Sequence, residues 1–75
     1  MDAYVIVIRG HAGGVVRRMF DEFEVGLKGD TTVLRGDLPD QAALHGVLQR
    51  IHALGIEIVE VRNVTDDLRA DPEAG

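Results

Sequence analysis

The sequence predicts a small α+β fold, and three stretches carry that prediction. Thr31 to Val61 (TTVLRGDLPDQAALHGVLQRIHALGIEIVEV) spells strand, helix, strand with its punctuation in place. Ala3 to Arg9 (AYVIVIR) is a β-branched run without polar alternation. Gly29-Asp30 separates two segments whose residues match in type across a two-residue turn.

Taken in order, Ala3 to Arg9 reads as a strand buried on both faces, hence central in its sheet. Gly10-His11-Ala12-Gly13-Gly14 breaks it. Val15, Val16, Met19 and Phe20 then recur at helical spacing around Arg17 and Arg18, giving an amphipathic helix of little more than two turns. With Gly29 at the first central position of the turn, Leu27 faces Thr32, Val25 faces Leu34 and Phe23 faces Gly36 on one surface of a hairpin. On the other, Lys28 faces Thr31, Gly26 faces Val33 and Glu24 faces Arg35 as an opposite-charge pair or part of a solvated face. One surface is apolar and the other mostly polar.

Pro39 suits the first position of the main helix and Asp40 its N-terminal dipole. Leu44, Val47, Leu48, Ile51 and Leu54 form one apolar stripe, and Gly55 is the expected residue past the C-cap. Ile56 to Arg62 closes the pattern as a strand, apolar on both faces except at Glu57 and Glu60. Strand, helix, strand, strand, helix, strand in this order is the βαββαβ ferredoxin-like sandwich, strand order 4-1-3-2, with a short or vestigial first helix. The alternative is a βββαβ meander in which Val15 to Phe20 is a loop. Residues 1–65 form the single domain, and the acidic segment 66–75, with almost nothing to bury, is expected to be disordered.

Composition narrows the function classes. A 75-residue chain buries about 60% of its unfolded surface, so its stability margin is thin. It has no cysteine to staple it, leaving packing or assembly as the source of stability. A net charge of −5, with Arg17-Arg18 as the one basic pair, argues against nucleic-acid binding. Val5 to Ile8 is far too short for a membrane span or a signal sequence, and the start lacks a basic n-region, so a cytoplasmic location is expected. Seven arginines against one lysine and a single Asn suggest a GC-rich coding genome of bacterial type.

The Thr31 to Val61 stretch, with its DQAALHG helix followed by Leu-Gly and a strand, resembles a pattern in short uncharacterised bacterial proteins, mainly from GC-rich genomes. That resemblance implies no activity. The overall topology is also similar to ACT-type regulatory domains and to dimeric α+β barrels. The ACT likeness implies a small ligand at the loop after the first strand.

Two groups of residues qualify as sites. The first is Gly10, His11, Gly13, Gly14 and Arg17, a glycine-rich turn before a helix with a local positive charge, suited to an anionic metabolite. It is neither a Walker A nor a GxGxxG motif, and its glycines serve equally to supply positive φ for a tight connection. The second comprises two surfaces for a partner: the uncovered sheet face with Val33, Glu24 and Arg35, and the outer face of the main helix with Ala42, Gly46 and Ala53. His45 and His52 lie two turns apart, about 10.5 Å, too far to share a metal. His11 and His52 would need a third ligand such as Asp30 or Glu57, so no metal or cofactor is expected.

The leading expectation is therefore a non-catalytic homodimeric interaction or regulatory module, pairing through the open sheet face, with another protein as the alternative partner. Second comes an ACT-like sensor of an anionic ligand at the first loop. An enzyme of dimeric α+β barrel type, with His11 as acid or base, ranks third, because no base has a visible orienting partner.

Overall fold

A computed structural model describes residues 1–11 and 13–65; the acidic segment 66–75, expected to be disordered, lies outside the described residues. The elements are β1 (Asp2–Arg9), α1 (Gly13–Met19), β2 (Glu24–Lys28), β3 (Thr31–Leu38), α2 (Gln41–Ala53) and β4 (Ile58–Asn63). They build a small α+β domain with one four-stranded antiparallel sheet in the order β2-β3-β1-β4, which read from the other edge is β4-β1-β3-β2. At this level the arrangement is compatible with a ferredoxin-like fold. The segment that the meander alternative left as a loop is the helix α1.

β1 is central because its apolar run needs cover on both faces. Its residues pair with β3 from Asp2↔Leu38 to Arg9↔Thr31, and with β4 from Tyr4↔Asn63 to Ile8↔Ile58. Tyr4, Ile6 and Ile8 point to one side, where they join Val16 of α1 and Phe20 just past its end, Leu44, Val47 and Ile51 of α2, and Phe23, Leu34 and Leu38 in a single core. Both helices therefore cover the same face of the sheet. Arg50 ties them together: from α2 its guanidinium stacks 4.5 Å from the centre of the Phe20 ring, donates to the Met19 carbonyl and pairs with Glu22 at 3.2 Å.

The hairpin has the register that residue matching predicts, Glu24↔Arg35 through Lys28↔Thr31, around Gly29 with φ +59°. Phe23 packs over Gly36 so closely that a Cβ there would lie 2.6 Å from its Cδ1. Leu27, assigned to the helix-side core, is instead 58% exposed, because it sits near the end of an edge strand and α1 is only seven residues long.

The start of α2 also departs from expectation. Asp40, not Pro39, sets it: Asp40 is extended and its carboxylate accepts the Ala43 N–H at 2.9 Å, so it is the N-cap and Pro39 lies outside the helix. Such a cap is worth about 1 kcal/mol. Gly55 follows the C-cap Leu54 with φ +77°, as its position requires.

Candidate interaction face

The face of the sheet away from the helices is built from three cross-strand rows. Glu24, Arg35, Val5 and Arg62 form the first, and Gly26, Val33, Val7 and Glu60 the second. Lys28, Thr31, Arg9 and Glu57 form the third, the last two joined by an ion pair of 2.9 Å. The centre is apolar, the rim carries both signs, and Gly26, lacking a side chain, opens a groove of about 380 Å³ that Glu24, Lys28, Val33 and Arg35 help to line.

This corrects one expectation. β4 is not apolar on the open face, where it presents Glu60 and Arg62, held to each other at 3.0 Å. A β-bulge between the Val7 and Ile8 pairings changes the alternation, so that Ile58 pairs with Ile8 and Val61 with Ile6 on the helix side. Nor is Val5 available: flanked in register by Arg35 and Arg62, whose long stems suit such cover, it is only 5% exposed. Val7 and Val33 remain half-buried. Glu24 and Arg35 are partners in register, but the ion pairs found among the described residues are Arg9–Glu57, Glu22–Arg50 and Glu60–Arg62. Arg62 and Glu60, which shape this face, escaped sequence reasoning because only the bulge places them there.

The glycine-rich loop is held against the β2–β3 turn. Gly10, with φ +90°, donates its N–H to the Asp30 carbonyl at 2.7 Å and accepts the Thr32 hydroxyl at 2.7 Å. His11 donates from Nε2 to the Gly29 carbonyl at 2.6 Å. These backbone and ring groups are thus engaged within the chain. Gly13 and Gly14 begin α1 rather than lying in the loop, and Arg17 reaches the Val25 carbonyl at 3.3 Å.

On α2, Ala42 and Ala53 are exposed, and a Cβ added at Gly46 would meet nothing within 4 Å, so no packing within the chain requires that glycine. His52 borders a separate shallow groove with Gly55, Ile56, Glu57 and Ile58. Among the described residues no cluster of three or more His, Asp or Glu side chains is placed to hold a metal ion, and no helix is long and apolar enough to cross a membrane.

A sheet with both helices on one side and a charge-rimmed valine centre on the other defines a small two-layer α+β module. The chain belongs to the family described as Domain of unknown function (DUF8691), whose model matches residues 3–62, from the second residue of β1 to the penultimate residue of β4. No curated protein and no solved structure matches it significantly.

Proposed function

We propose that the protein is a non-catalytic module of ferredoxin-like topology that forms a homodimer through its open sheet face. The observation that supports this reading is the one-sided cover: α1 and α2 pack on the Tyr4, Ile6 and Ile8 side, while Val7 and Val33 lie half-buried beside the Gly26 groove with none of the described elements above them. A second copy is the simplest cover. The rim around these valines holds Glu24, Glu57 and Glu60 together with Arg9, Lys28, Arg35 and Arg62, so a copy turned by a twofold axis has charge of the opposite sign to meet.

Val33→Asp tests it. Placing an unpaired carboxylate in the middle of a buried contact costs several kcal/mol, whereas on a free surface it costs little. Light scattering at micromolar concentration should show a dimer for the natural sequence and a folded monomer for Val33→Asp, with Gly46→Glu on the outer face of α2 as the matched control. A natural sequence that is monomeric under these conditions rejects the reading. Dissociation by Gly46→Glu alone would move the contact to the Ala42, Gly46 and Ala53 face.

A further inference from the structure

The two edges of the sheet differ in what they offer. In an antiparallel pair, residues alternate between bonding to the neighbour and pointing their N–H and C=O outward. Val64 donates to the Ala3 carbonyl and Arg9 to the Glu57 carbonyl, which with the register Val5↔Arg62 and Val7↔Glu60 turns the backbone of Glu60 and Arg62 toward β1. The backbone groups of Val61 and Asn63 therefore face the free edge. On β2 the outward carbonyl of Val25 already accepts from Arg17 of α1. Among the described residues no side chain is seen bonding to the outward backbone of β4, and its Val59 and Val61 are 46% and 37% exposed.

We infer that β4 pairs antiparallel with β4 of a second copy, centred on Val61, making one continuous eight-stranded sheet. That register is fixed by two independent features. Val61 opposite its counterpart is a hydrogen-bonded pair, each N–H meeting the other copy's carbonyl, and Asn63 then faces Val59. The same register sets Glu60 opposite Arg62 twice, so the intrachain Glu60–Arg62 pair becomes a quartet of alternating sign; a shift of one residue in either strand loses both features. Cross-strand pairs of opposite charge favour such a register and like charges oppose it. The edge contact shares Glu60 and Arg62 with the rim of the open face, but it is made through the outward backbone of β4 and stands without the open-face contact.

A charge-exchange experiment decides the matter. Glu60→Arg and Arg62→Glu each set like charges opposite one another when a chain meets its own kind, but opposite charges when the two variants meet each other. At submillimolar concentration, sedimentation should show the natural sequence doubling in mass beyond its micromolar state. Each single variant should self-associate about tenfold more weakly, and an equimolar mixture should recover the doubling. Measured in a Val33→Asp background, the same step runs from monomer to dimer, which separates it from face pairing. The amides of Val61 and Asn63 should gain protection from hydrogen exchange as concentration rises. Absence of the doubling in the natural sequence, a mixture that associates no better than its components, or unchanged exchange at Val61 and Asn63 overturns the inference.

Discussion

Phe20→Ala is expected to leave the chain unfolded at 25 °C. Phe20 is fully buried, meets the edge of Phe23 at a ring separation of 6.4 Å and carries Arg50 over its face at 4.5 Å. Truncating a buried Phe costs about 3–5 kcal/mol, while a core in a chain of this size supplies about 3–5 kcal/mol in all. The substitution also strands Arg50, which loses the ring that joins α2 to the end of α1. Far-ultraviolet circular dichroism with thermal melting reads the result. A cooperative transition within a few degrees of the natural sequence would show that Phe20 is not the keystone, and Phe20→Leu, which keeps most of the volume, should still fold.

Gly36→Ala should be the most damaging single added methyl in the sheet. Its Cβ would stand 2.6 Å and 3.0 Å from two atoms of the Phe23 ring and 3.2 Å from the Glu22 carbonyl. Phe23 is itself buried and held against Phe20, so the ring has little room to yield, and the carbonyl belongs to the backbone. Overpacking of this kind costs about 1–3 kcal/mol, a fall in Tm of roughly 4–8 °C for each kcal/mol in a domain of this length. Gly46→Ala gives the opposite sign, because its added methyl meets nothing and alanine is favoured in a helix interior by about 1 kcal/mol. An unchanged Tm for Gly36→Ala would mean that Phe23 swings aside.

What could be read in the sequence is what local chemistry dictates. Gly29 fixes a two-residue turn, and once the turn is fixed every cross-strand partner follows, including the Phe23 and Gly36 contact. The alternation-free run of β1 announces a central strand, and the leucine and valine stripe with Gly55 gives α2 and its end. What escaped depends on long-range geometry. The bulge in β4 inserts one residue between pairings with β1, and no pattern in IEIVEVR distinguishes it from regular alternation; the expected apolar outer side of β4 failed for that reason. Leu27 looks like core in the hairpin register, but its cover would have had to come from α1. Proline and aspartate both signal a helix start, and the choice went to Asp40 because only its side chain can accept the Ala43 N–H. For the glycine-rich loop, composition displays donors free to meet an anion. The bonds to Gly29, Asp30 and Thr32 that occupy Gly10 and His11 come from a turn some twenty residues away.

The position of β1 between β3 and β4 also sets a schedule for the nascent chain. The first of the described strands is the most apolar, yet one of its edges waits for β3 and the other for β4, the last of the described elements. Until Ile58 to Asn63 has left the ribosome, AYVIVIR keeps a bare row of amides and carbonyls beside β-branched side chains, the combination that favours pairing with the wrong chain. The sheet therefore cannot be complete before β4 has been made. Fragments ending at Gly55 should accordingly precipitate while those ending at Thr65 stay in solution, a difference that sedimentation of translation products would reveal; equal solubility would show that an unpaired β1 edge is tolerated.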